Sequence, residues 1–152
     1  MKKDIWDTVA KAGKKAGVPG YSTPKHYKKC SSYENLVTHL KKFKPTKRIE
    51  NHKILQQKLI EYINNNKSKK YKAEHYGQND IIVNRKIGIE IKYANHPQKL
   101  RDLQHEISGY KKRNYKVIVL IYNAGINPDK IKETEKEVQK YHKDVKFVTT
   151  EN

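Results

Sequence analysis

Cysteine is almost absent: Cys30 is the only one in 152 residues. A single thiol forms no intramolecular disulfide and cannot build a multi-thiolate zinc site, which fits a reducing, intracellular setting. Long hydrophobic runs are missing too. No segment approaches the ~20 apolar residues of a membrane span, and the opening "MKKDIWDTVAKAGKK" has no apolar core of signal-peptide length. The expectation is a cytoplasmic protein with no membrane segment. No Gly-rich phosphate loop is present, so no nucleotide cofactor is expected. Acid is the last scarcity: 16 Asp and Glu face 34 Lys and Arg, a formal net charge of +18. Such an excess creates a long-range field that draws polyanions, with nucleic acid the leading partner class.

What is present suffices for one modest core, since 35% of the residues are hydrophobic. Residues 1–50 hold 13 basic and 4 acidic side chains, so half of the net charge sits in the first third of the chain. That third reads as a basic helical N-terminal extension, residues 1–48. It contains a short helix over Asp4–Ala16, a punctuated stretch "GVPGYSTPKHY", and a second helix capped by Ser31 or Ser32, with Glu34 in its first turn. Tyr33, Leu36, Val37, Leu40 and Phe43 recur there at helical spacing until Pro45. Lys11, Lys14, Lys15, Lys25, Lys28 and Lys29 alternate with Tyr21, Tyr27 and Tyr33, a pattern suited to phosphate neutralisation and base stacking. Tyrosines that simply pack a helical add-on are the plain alternative. Lys111, Lys112 and Arg113 are candidates to extend the same basic track.

From residue 49 to 152 the pattern is more regular. Ile49, Ile54 or Leu55, Leu59, Tyr62 and Ile63 form one helical stripe. Residues 70–76 alternate like a strand, Asp80–Val83 is a short oily strand, and "NRK" is a tight turn. Ile87, Ile89 and Ile91 then leave one face of a strand, against a helix, and Gly88, Glu90 and Lys92 leave the other. Residues 98–113 form a helix with Leu100, Leu103, Ile107 and Tyr110 on its buried side. "KVIVLIY" (116–122) has the continuous β-branched character of a central strand. A helix entered through Asn127 and Pro128, and a final strand at 145–148, complete the order α-β-β-β-α-β-α-β. This is an α/β pattern: a mixed central sheet flanked by helices on both faces.

Two acids and a lysine interrupt the oily hairpin "NDIIVNRKIGIEIKYA". Asp80 opens one strand, and Glu90 and Lys92 share a face on the next. A hairpin turn between the strands brings Asp80 and Glu90 toward each other. Carboxylates held close repel unless a proton or a cation sits between them. A hard divalent cation such as Mg²⁺ takes oxygen ligands and keeps several waters. A neighbouring lysine suits developing charge on a phosphate, and Gly88 leaves room for substrate or metal. An exposed Glu–Lys strand pair on a half-wet sheet is the plain alternative.

Asp80, the short turn and Glu90-Ile91-Lys92 resemble the PD-(D/E)xK nuclease superfamily. The resemblance covers residues 49 to about 122. The family's motif proline is Asn79 here. The resemblance implies a restriction-endonuclease-like αβββαβ core, of the Holliday-junction-resolvase or recombination-exonuclease type. It implies Asp80, Glu90 and the backbone carbonyl of Ile91 as ligands of Mg²⁺ or Mn²⁺, with Lys92 helping to activate the attacking water. It also carries Gln104 over as an active-site residue, and makes Glu61, with Glu50 behind it, the candidate acid on the first core helix. Size and basicity look like an archaeal junction resolvase or a nuclease encoded by a virus or mobile element, which would act in the host cytoplasm. The expected activity is hydrolysis of DNA phosphodiester bonds, including a structure-selective endonuclease on junctions, and resolvases of this type act as homodimers. The competing expectation is a non-catalytic DNA-binding protein on the same fold. A helical packaging protein is disfavoured by the strand pattern. The seven histidines are scattered, and the resemblance singles out His52, because some related nucleases place a His on the first core helix.

Overall fold

The computed structural model describes residues 25–65 and 70–151, excluding the side chains of residues 25–31. The expected helix over Asp4–Ala16 and the side chains of Lys11, Lys14, Lys15, Lys25, Lys28 and Lys29 therefore lie outside the described residues. The chain divides into two compact units, Met1–Leu36 and Val37–Asn152. This division falls ahead of position 48/49, where the composition changes. Residues 37–48 belong to the larger unit through specific bonds: Tyr62 donates to the His39 carbonyl at 2.7 Å, and Thr150 donates to the Phe43 carbonyl at 3.0 Å.

Helix α1 spans Lys25–Lys41, so Ser31 and Ser32 lie inside it rather than capping it. Residues 25–41 contain no glycine or proline to break a helix, and an interior serine costs only a few tenths of a kcal/mol, roughly. Helix α2 spans His52–Asn64. Asn51 caps it by accepting from the Ile54 amide at 2.9 Å. Leu55, Leu59 and Ile63 are fully buried, whereas Ile54 is 38% exposed. Burying each such side chain contributes ~1.5–3 kcal/mol, which outweighs any propensity difference along this helix.

The sheet has the order β1-β2-β3-β4-β5, with strands Ala73–Tyr76, Asp80–Val83, Ile87–Ala94, Lys116–Asn123 and Lys146–Thr150. The first three form an antiparallel meander, and β3, β4 and β5 run parallel. The sheet is thus mixed, as the pattern predicted. The β2–β3 turn places Asn84 and Arg85 at φ 53° and 57°, and Lys86 N–H donates to the Val83 carbonyl at 3.1 Å. Two left-handed residues make a turn whose twist matches the strands it joins. Asn84 also ties down the approach to β1, exchanging side-chain bonds with Lys72 N and Lys70 O.

A 3₁₀ turn, Pro97–Leu100, precedes α3 at Leu103–Lys112, so the single helix expected over 98–113 is in two pieces. Helix α4 spans Pro128–Tyr141, capped by Asn127 with Pro128 in its first turn. Helices α3 and α4 bury Leu103, Ile107, Tyr110, Ile131 and Val138 against Ile82, Val117, Val119 and Ile121. Helix α2 covers the opposite face, against β1–β3. Six consecutive residues of β4, Val117–Tyr122, are buried, as its β-branched run predicted. Tyr93 and Tyr122 stack at 5.5 Å on the α2 face, and their hydroxyls grip Ile49 from both sides of its peptide. Tyr93 donates to the Ile49 carbonyl at 2.8 Å, and Tyr122 accepts from the Ile49 amide at 3.0 Å.

Gly88 has a different role from the one expected. It leaves no room for a ligand, because a Cβ there would overlap the ring of Tyr110. The glycine lets α3 approach the sheet. Gly88→Ala is therefore expected to lower stability by ~1–3 kcal/mol through overpacking. Urea unfolding would show a lower midpoint at an unchanged slope; an unaltered midpoint would refute the contact.

Candidate active site

The site forms where β2 separates from β3. Pairing between these strands ends at Ile81 and Ile89. One step further, the ladder would place Asp80 opposite Glu90 and bond Ile91 N–H to β2's backbone. Instead the Asp80 carboxylate accepts from Ile91 N–H at 3.2 Å. The Asn79 carbonyl freed on β2 finds a partner on α2, accepting from His52 Nε2 at 2.7 Å, and Gln56 Nε2 donates to the Asp80 carbonyl, on the strand edge still paired with β1, also at 2.7 Å. A carbonyl only accepts, so the bond to Asn79 assigns the proton of His52 to Nε2. The N–H and C=O of one strand residue point to the same side, so the Ile91 carbonyl also faces the parted strand.

Asp80, Glu90 and Lys92 leave the sheet on the α3 side. Glu90 is 3% exposed and the Lys92 side chain 14%, which removes the exposed strand-pair alternative. Lys92 Nζ lies 3.4 Å from Glu90 and 2.6 Å from Glu106 Oε1, a buried oxygen of α3. These side chains border an open pocket of about 460 Å³ together with Glu50, His52 and Lys99.

Three carboxylates and one ammonium leave an excess of negative charge in a strongly basic protein. Burial, then repulsion from Asp80 and Glu106, pushes the Glu90 carboxyl up to about 8, against a smaller pull from Lys92. Burial also raises Asp80, opposed by its Ile91 N–H bond and by Tyr110. Tyr110 lies near Asp80, but its buried hydroxyl has no partner in hydrogen-bond geometry; burial and both acids drive its ionisation far upward. For Lys92 burial pulls downward, yet its bond to Glu106 and the charges of Glu90 and Glu106 hold it above the ordinary lysine value. Lys92 therefore remains an ammonium at neutral pH.

The structure brings together Asp80, Glu90, Ile91 and Lys92, and adds Glu50 and His52 to the pocket lining. It does not bring in Gln104, which lines a separate cavity with Leu100 and Thr134. Glu106, two residues further along α3, occupies the place expected of Gln104. Glu61 is exposed on α2, accepting from Gln57 at 3.3 Å, and is not among the residues lining the pocket. Of the second basic group, Lys111 pairs with Asp144 at 2.6 Å, Arg113 bonds the Tyr76 hydroxyl, and Lys112 is exposed. Gln56 and Glu106 were missed by sequence reading. The signal for Glu106 is partial: it stands three residues after Leu103 and four before Tyr110, an acid beside the apolar stripe of α3. Among the described residues no three His, Cys, Asp or Glu side chains converge as a ready-made ligand group, and no helix is long and apolar enough to cross a membrane. No protein-family model, no curated protein and no solved structure matches the chain.

Glu90 gives the fold a specific pH dependence. Between its ordinary value of 4.5 and about 8 the native state holds a proton that the unfolded chain releases. Its contribution to stability is therefore fully present below 4.5 and is lost as pH rises toward about 8. In EDTA, the melting temperature of Glu90→Gln is expected to exceed that of the parent at the alkaline end and to vary less across this window. A gap between the two that shrinks as pH rises would contradict the assignment.

Proposed function

We propose that this chain is a metal-dependent deoxyribonuclease of the PD-(D/E)xK type, hydrolysing DNA phosphodiester bonds. One observation carries the reading: the carboxyl groups of half-buried Asp80 and buried Glu90 repel each other on one sheet face, with Lys92 alongside, at the border of an open pocket. Burying mutually repelling acids is unfavourable for a fold, and a divalent cation removes the repulsion. The donors suit Mg²⁺ or Mn²⁺. Asp80, Glu90 and the Ile91 carbonyl offer hard oxygens from one side, leaving positions for water and a phosphate oxygen. A bound ion supplies Lewis acidity and a more acidic water.

The chain's own groups divide the remaining work. An ammonium cannot accept a proton, so Lys92 serves to orient water and to offset charge on the phosphate. Glu106 positions Lys92 through their 2.6 Å contact. Ile91 N–H fixes the Asp80 carboxylate, and His52 and Gln56 hold the backbone beneath it. The net charge of +18 concentrates DNA at the surface.

Purified protein incubated with linear, circular and branched DNA should cut with Mg²⁺ or Mn²⁺ and not in EDTA. Asp80→Ala, Glu90→Ala and Lys92→Ala should each reduce cutting by about a hundredfold or more. Glu106→Gln should reduce it by about tenfold while Lys92 is retained. Mg²⁺ should raise the melting temperature of the parent and leave that of Asp80→Ala unchanged. Cleavage in EDTA, or full activity without Asp80, would overturn the assignment. Tight, salt-sensitive binding with no cutting under any metal would replace it with a DNA-binding role.

A further inference from the structure

The carboxylate pocket continues past His52. A second cleft, of about 810 Å³, shares Asn51, His52 and Asn79 with it. Lys53 and Gln57 of α2 line one side of this cleft, and His75 and Gln78 of the β1–β2 hairpin line the other. These four side chains occupy exposed positions. Gly77, at φ +64° in the hairpin turn, also lines the cleft and has open space where a Cβ would stand.

Charge separates the two clefts. The first is bordered by Glu50, Asp80, Glu90 and Glu106, whereas no acid lines the second. The nearby Glu61 accepts from Gln57 and stands outside the lining. A polyanion cannot lie along the first cleft without intervening cations, but the second offers the Lys53 ammonium, the His75 imidazole and the Gln78 amide, while the His52 proton is already engaged by Asn79. Such groups donate to phosphate and sugar oxygens without selecting a base. The divider is fixed, since His52 is bonded to the Asn79 carbonyl. We infer that the second cleft is a strand-binding site: it holds the sugar–phosphate backbone of the nucleotides flanking the phosphodiester presented to Asp80 and Glu90. The substrate class rests on the nuclease reading; the cleft and its donors do not. Register along the strand is then set at His52, the residue common to both clefts.

The test uses the full chain and fluorescein-labelled single-stranded and duplex DNA. Binding is read by anisotropy in EDTA, and cleavage kinetics are read with Mg²⁺. The double variant His75→Ala/Gln78→Ala keeps the formal charge. It should weaken binding by about tenfold and raise KM with little change in kcat. Lys53→Ala should weaken binding more than Lys132→Ala, a charge-matched change on exposed α4. Parental binding by the double variant, or equal losses for the two lysine variants, would overturn the inference. Should the double variant not fold, a photo-crosslinking amino acid at position 78 decides: attachment to DNA supports the site, and none refutes it. The outcomes separate from those for catalysis. Lost binding in the cleft variants with full cutting by Asp80→Ala would retain the strand site and remove the nuclease assignment. Parental binding with cutting abolished in Asp80→Ala would do the reverse.

Discussion

The separation of β2 from β3 at Asp80 is the constraint on which the site depends. A ladder that stops inside a fold leaves donors and acceptors that must be satisfied, at a penalty of ~1–3 kcal/mol for each one left buried and unmet. Here the Asp80 side chain takes the Ile91 amide, and His52 of α2 takes the Asn79 carbonyl. That solution draws a carboxylate toward the sheet, beside the carboxyl group of Glu90. The same bonds that close the end of the hairpin therefore create the repulsion between the two carboxyl groups. Lys92 answers part of it, and is itself shared with Glu106.

Stability and the proposed cation site make opposite demands at this point. Glu90 is held nearly free of solvent, where an anion is disfavoured, yet an anion is the form a cation needs. The strain is tolerated because the surroundings are strongly built. β4 is buried over six successive residues, and α3 and α4 seal the same face with a continuous apolar cluster. A strongly basic chain thus carries an acidic recess bordered by Glu50, Asp80, Glu90 and Glu106.

Much of this was legible in the chain. Period-two alternation put Gly88, Glu90 and Lys92 on one face, the turn residues fixed the hairpin, and the unbroken apolar run of β4 announced a strand covered on both sides. The acids themselves marked the site. Other features were not legible, for physical reasons. Alternation tells which residues share a face but not whether that face is covered, so the burial of Glu90 depended on knowing where α3 lies. Gly88 looked like vacant space because a sequence does not show which ring fills it. Gln56 reads as a surface residue on a helix until the Asp80 carbonyl is placed opposite. Gln104 and Glu106 both lie near the edge of α3's apolar stripe, and only the packing direction of that helix decides which of them meets Lys92. The boundary of the larger unit moved for a similar reason: charge density changes near residue 49, whereas tertiary bonds reach back to His39 and Phe43.

The stacked pair Tyr93 and Tyr122 has a mechanical consequence. Their hydroxyls fasten the amide and the carbonyl of Ile49, two residues before the Asn51 cap of α2. One rim of the recess, carrying Glu50 and His52, is thereby tied to β3 and β4. That rim is therefore anchored to the strand bearing Glu90 and Lys92, whereas Lys99, elsewhere on the border, is carried by the short 3₁₀ turn Pro97–Leu100 between β3 and α3.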